Sequence, residues 1–236
     1  MNMRVPRPRP GGSLRLGVWK RLALTAFGLA GLLLVGGALL FSGSDVTCAD
    51  GSSAEGLELR CDFAVGATPE VVWNAFTRTG EPRAYYFDAV LQAELTPGGR
   101  WRFVTDDLER LLASGEVLAV DPPFRFEQSF EAADLDDPPS RITVELRETA
   151  ADTRITLVHD RFPHETATFR RFRRAHPLAL SALKAQLETG DLPVRARIYT
   201  AIFKPGMKLF TVRAEPWHQS PTSPESIPPS GPEPAY

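Results

Sequence analysis

Two side chains stand out chemically from their surroundings, Gln128 and His159. Both fall on runs that are otherwise alternately apolar: Phe124, Phe126, Gln128 and Phe130 share one face, as do Ile155, Leu157 and His159. An apolar pocket with a few placed polar groups is how small-molecule sites are usually built. The alternative is a strand-end histidine, and a glutamine, satisfied by backbone or water. Other combinations carry less. His159, Asp160, His164 and Glu165 lie close in sequence, but alternation turns Asp160 away from His159 and the spacing fits no zinc pattern, so no metal is expected. Asp134, Asp136 and Asp137 lack the glycine and terminal glutamate of a calcium loop and read as a solvated turn. GxSxG, HExxH and phosphate-binding glycine loops are absent, which weakens hydrolase and nucleotide-enzyme readings and leaves neither a catalytic residue nor a cofactor to name.

Placing Gln128 and His159 in one site requires a sheet and something to close it. Seven runs alternate as strands: 57–65, 87–95, 100–105, 111–120, 124–131, 141–148 and 154–160. Turn residues such as Pro97-Gly98-Gly99 and Pro122-Pro123 separate them. Thr68 before Pro69 and Glu70 reads as the cap of a helix through Val72, Trp73 and Phe76, and residues 81–86 as a short turn. From Phe169 to Gly190, Phe169, Phe172, Ala175 or His176, Leu180, Leu183 and Leu187 recur at steps of three and four, one face of a long helix. Pro177 inside it predicts a kink or a break after His176. The class is α+β, an antiparallel sheet of about seven strands with helices on one face. A further helix, VRARIYTAIF, follows Pro193 and ends at Lys204-Pro205-Gly206.

The ends differ from the body. Residues 22–44 are 23 residues without a charge, long enough for a transmembrane helix. Six basic residues precede them and Asp45, Asp50, Glu55 and Glu58 follow, so the N-terminus is expected in the cytoplasm and the body outside. A cleaved signal peptide, with Gly36 and Ala38 near its cleavage site, is the competing reading and exports the body equally. Beyond residue 44 there are 21 basic and 29 acidic residues, which argues against a nucleic-acid partner. Cys48 and Cys61, the only cysteines, allow a disulfide in an exported domain, or a buried free Cys61 facing inward with Leu57, Leu59, Phe63 and Val65. Both readings stand. Arg170, Arg171, Arg173 and Arg174, and further on Arg195, Arg197, Lys204 and Lys208 among Tyr199, Phe203 and Phe210, suit either anionic headgroups or a solvated basic face.

Several pieces in order resemble one family: Pro69-Glu70-Val71-Val72-Trp73, Tyr85-Tyr86-Phe87, Pro97-Gly98-Gly99, Gly115-Glu116-Val117, Pro122-Pro123-Phe124-Arg125, Thr156-Leu157-Val158-His159, and Leu180 to Gly190. Over residues 57–190 the chain is similar to the START-like and Bet v 1-like (SRPBCC) superfamily, in the branch related to the activator of Hsp90 ATPase. His176-Pro177 stands where that branch often has Gly-Trp. The resemblance implies a helix-grip fold, a curved seven-stranded sheet wrapped on the C-terminal helix around a cavity that in many relatives holds an apolar small molecule or lipid.

The organisation expected is a basic N-terminus (1–21), a transmembrane anchor (22–44), a linker (45–56), the helix-grip domain (57–190), a basic extension (191–215) and a disordered Pro-rich tail (216–236). The function expected is binding of a hydrophobic small molecule or lipid by Trp101, Phe103, Phe126, Gln128, Phe130, His159, Leu180 and Leu183, without metal or cofactor, at the outer side of a single-pass membrane. The alternatives are a cyclase or lyase using His159, and a protein-interaction module resembling the co-chaperone relatives with its cavity closed.

Overall fold

All seven alternating runs form strands, and three further strands join them in one antiparallel sheet. The computed structural model describes residues 46–218. The strands are β1 (Cys48–Ser53), β2 (Gly56–Val65), β3 (Pro82–Arg83), β4 (Ala89–Ala93), β5 (Arg100–Val104), β6 (Arg110–Asp121), β7 (Arg125–Ala132), β8 (Ser140–Glu148), β9 (Thr153–Phe162) and β10 (Val212–Arg213). Their order across the sheet is β1-β2-β9-β8-β7-β6-β5-β4-β3, and β10 pairs with β6. The helices are α1 (Pro69–Thr77), α2 (Ala167–Thr189) and α3 (Val194–Phe203), with 3-10 turns at Ala84–Tyr86 and Lys204–Phe210.

The expected count of about seven strands is thus corrected to ten among the described residues. β3 and β10 are two-residue pairings, too short for a period to show in sequence. β1 occupies the segment read as a linker. Its residues, CADGSS, show no apolar alternation because it is a largely exposed edge strand, held by its register to β2 from Cys48↔Cys61 to Ser53↔Gly56. Cys48 and Cys61 form a disulfide, so the free-thiol reading is set aside. The anchor expected at 22–44 and residues 219–236 lie outside the described residues. Among the described residues no helix is long and apolar enough to cross a membrane.

The long helix runs unbroken through Pro177, whose missing N–H leaves the Arg173 carbonyl without its helical donor. Phe169, Phe172, His176, Leu180 and Leu183 are buried against the sheet, on the face that their spacing sets. Both ends of α2 are fastened. At its start, Thr166 Oγ1 accepts from the Phe169 amide at 3.1 Å, and the Asp137 carboxylate accepts from the amide and hydroxyl of Thr168 at 2.6 and 2.7 Å. Arg171 donates to both Asp134 oxygens at 2.7 and 2.6 Å. The acidic loop expected to be a solvated turn is therefore the dock for the helix. At the far end Gly190 takes φ 76°, the left-handed conformation that glycine adopts without strain.

Gly115 on β6 lies where strands crowd most closely. A Cβ there would sit 2.2 Å from the Ser129 carbonyl oxygen, inside van der Waals contact. Gly115→Ala is expected to lower stability by about 2 kcal/mol, since backbone rather than a flexible side chain must move. Urea denaturation checks this, and an unchanged midpoint would contradict the close approach.

Candidate functional site

The concave face of the sheet and α2 enclose a cavity of about 90 Å3. Period-2 alternation delivers Phe126, Gln128 and Phe130 from β7, Ile142 and Val144 from β8, and Leu157 from β9. Helical spacing delivers Phe172, His176, Ala179 and Leu180 from α2. Tyr85 and Tyr86, on the 3-10 turn between β3 and β4, close one side. The Tyr85 hydroxyl donates to the Ala75 carbonyl at 2.8 Å, which ties that turn to α1. Burial pushes the Tyr86 hydroxyl up to about 12, so it stays protonated and a donor at neutral pH.

Gln128 is 6% exposed and lines this mostly apolar cavity, where its amide offers both a donor and an acceptor.

Behind the cavity wall lies a chain of hydrogen bonds. Ser140 Oγ donates to the Phe130 carbonyl at 3.2 Å and meets His159 Nε2 at 2.8 Å. With its one hydrogen so committed, Ser140 accepts the Nε2 proton, and a neutral His159 is left with Nδ1 as an acceptor. His176 Nε2, 3.0 Å from that atom, donates to it. Both imidazoles are thereby fixed as neutral tautomers, with the unprotonated Nδ1 of His176 at the end of the chain. Burial, and after it the neighbouring His176, hold His159 well below 6.5, and burial pushes His176 down to about 3. The rings of Phe130, Phe162 and Phe172 surround His159 at centroid distances of 5.2, 4.6 and 5.2 Å.

Of the eight residues expected to bind ligand, Phe103, Phe126, Gln128, Phe130 and Leu180 line the cavity. Trp101, His159 and Leu183 are buried but do not line it. Trp101 Nε1 donates to the Ser129 carbonyl at 3.0 Å. His159 stands behind His176, and Leu183 lines a separate cleft beside α1. Phe124, placed by alternation with Phe126, is 46% exposed because β7 begins one residue later and Phe124 belongs to the preceding turn. Lining residues that spacing did not single out as site residues include Tyr86 and His176, which reach the cavity only once the 3-10 turn and α2 have docked.

A second apolar chamber, of about 220 Å3, shares Tyr86, Phe130 and Phe172 with the first. Its other side is formed by Tyr199 and Phe203 of α3 and by Met207 and Phe210 of the following 3-10 turn. This C-terminal roof is pinned by Lys204 Nζ to Asp88 and Asp106 at 2.7 and 2.8 Å, and by Arg110 Nε to the Thr211 hydroxyl at 2.7 Å. Neither space alone reaches the roughly 300–1,000 Å3 of an ordinary ligand pocket. Tyr86, Phe130 and Phe172 are the side chains whose movement would join them.

The model of the family described as Activator of Hsp90 ATPase homolog 1-like protein matches residues 66–188 and ends before α3. Similar solved structures include CalU16 from Micromonospora echinospora, 20% identical, covering 72% of this chain and 99% of that one at TM-score 0.49. A conserved protein of unknown function, EF2215 from Enterococcus faecalis, is 18% identical over 73% of this chain and 97% of that one, at TM-score 0.50. The Aha1 dimer from Colwellia psychrerythraea is 15% identical over 57% and 98% of the two chains, at TM-score 0.46. At 18% identity the likeness to EF2215 concerns the fold alone. No curated protein matches.

Proposed function

Since the chain belongs to the family of Activator of Hsp90 ATPase homolog 1-like proteins, we propose that it is a membrane-tethered member that carries an apolar small molecule or lipid between its sheet and α2. The observation that carries this reading is Gln128, a buried amide lining a cavity that is otherwise mostly apolar. A ligand with a polar head and an apolar body suits that lining: the head meets Gln128 and the Tyr86 hydroxyl, and the body extends toward the roofed chamber when the Tyr86 ring turns aside. The tether is the uncharged run 22–44, oriented by the six basic residues before it, and the Cys48–Cys61 disulfide favours an oxidising compartment for the body. The general acid or base reading of His159 is disfavoured, because His176 separates it from the cavity.

Native mass spectrometry of the full chain from mild detergent, compared with denaturing conditions, tests the proposal. An adduct lost on denaturation is expected, together with uptake of added oleate by the emptied protein. Gln128→Leu is expected to weaken oleate binding about tenfold, the loss of one hydrogen bond to the head group. A clean mass that oleate leaves unchanged would instead favour the interaction-module reading, in which exposed faces do the work.

A further inference from the structure

Helix α3 shows two unlike sides. Inward, Tyr199 and Phe203 help wall the 220 Å3 chamber, and the Tyr199 ring lies 5.3 Å from that of Phe87. Outward, Val194, Ile198 and Ile202 are 69%, 42% and 59% exposed, and Leu209 in the next turn is 80% exposed. With 3.6 residues per turn, Val194, Ile198, Ala201 and Ile202 fall within an arc of about 100°. Arg197, which also pairs with Asp191 at 3.1 Å, flanks one margin of that arc and Arg195 the other. Residues 192–213 contain five basic residues and no acidic one, in a chain whose body is acidic.

An apolar stripe between arginines is the layout of a helix that lies in a bilayer interface, its stripe among the acyl chains and its cations among anionic headgroups. A second copy of the chain fits less well, since pairing two such faces would bring like charges together. We infer that the outward face of Val194–Leu209 docks on an anionic membrane surface, which presents the roof of the second chamber to the lipid. The inference requires neither an occupied cavity nor a span at 22–44. The family match ends at residue 188, before this face begins.

An environment-sensitive dye on the full chain reads the contact directly. The described residues hold no free cysteine, so Ile202→Cys supplies a single labelling site, and Ala151→Cys in the turn between β8 and β9 supplies a control. With vesicles of phosphatidylcholine and phosphatidylglycerol, the Ile202 label is expected to shift to the blue while the Ala151 label keeps its aqueous emission. The shift is expected to be lost with phosphatidylcholine alone, with Arg195→Glu/Arg197→Glu, and when salt shortens the screening length to about 3 Å. A label at 202 that stays aqueous with anionic vesicles overturns the proposal. So does an equal shift at 151, which marks unspecific adsorption. A blue emission without vesicles also overturns it: one that rises with protein concentration assigns the stripe to a second copy, and one independent of concentration assigns it to another segment of the same chain. Because no arm uses a cavity ligand, failure here leaves the oleate result standing, and the reverse holds.

Discussion

Acidification from pH 7.5 to 4.5 is expected to remove about 3 kcal/mol of folding stability through His176 alone, with a further loss through His159, a large share of what a domain has to lose. The cause is the buried pair His159 and His176. In the unfolded chain each titrates near 6.5, whereas in the fold burial holds His176 at about 3 and His159 well below its usual value. Below pH 6.5 the unfolded state therefore binds protons that the folded state refuses. Stability rises with pH through this window and is lost as pH falls, by about 1.4 kcal/mol per pH unit for each imidazole. Carboxylates act in a lower window. Asp62, held down by the Thr156 hydroxyl, and Glu188, held down by Lys184, lose their contributions only as pH falls through depressed carboxylate values. Urea midpoints between pH 7.5 and 4.5 measure the slope. The double substitution His159→Phe/His176→Leu, which continues the aromatic and aliphatic surroundings, is expected to flatten it. A slope that survives the double substitution would place the acid sensitivity elsewhere.

Breaking the Cys48–Cys61 disulfide is the second large effect. The bond closes a loop with a sequence separation of 13, and constraining a loop of that size in the unfolded chain is worth roughly 3 kcal/mol. The loss should also be local. Without the bond, β1 is an edge strand paired only with β2, preceded by the buried Val46, whose amide donates to Ser181 Oγ of α2 at 3.2 Å. Reduction should loosen this corner first, with hydrogen exchange rising in 46–53 before β8 and β9 respond. Cys48→Ala is the cleaner test, since it leaves Cys61 in the core. A shift in stability below about 1 kcal/mol would mean that β1 is held by its backbone pairing and by Arg173 to Asp50 at 2.9 Å.

The parts of this fold that were legible in sequence are those whose burial repeats. Gln128 could be assigned to the inner face because Phe126 and Phe130 bracket it at period two, and the buried face of α2 because Phe169, Phe172, Leu180 and Leu183 keep helical spacing. What period cannot report is depth along a face. Trp101 and Leu183 point inward as expected, yet other side chains stand between them and the cavity. Pairing between elements is equally silent: His159 and His176 belong to different elements, and only the docking of α2 on the sheet brings their nitrogens to 3.0 Å. β1 went unread because its residues are polar and its order comes from β2 rather than from a buried face of its own.

The position of the disulfide also decides how the domain bears a mechanical load. Tension on the chain ahead of Val46 meets Cys48 two residues later and crosses by a covalent bond to Cys61, in the middle of β2. Residues 49–60 are then bypassed, and the β1–β2 hairpin can be neither unzipped nor sheared while the bond is intact. The pull falls on β2 where Cys61 pairs with Leu157 of β9, so the first hydrogen bonds to be strained are those of an inner strand pair. Reduced, the same chain would yield from its edge, one residue pair at a time.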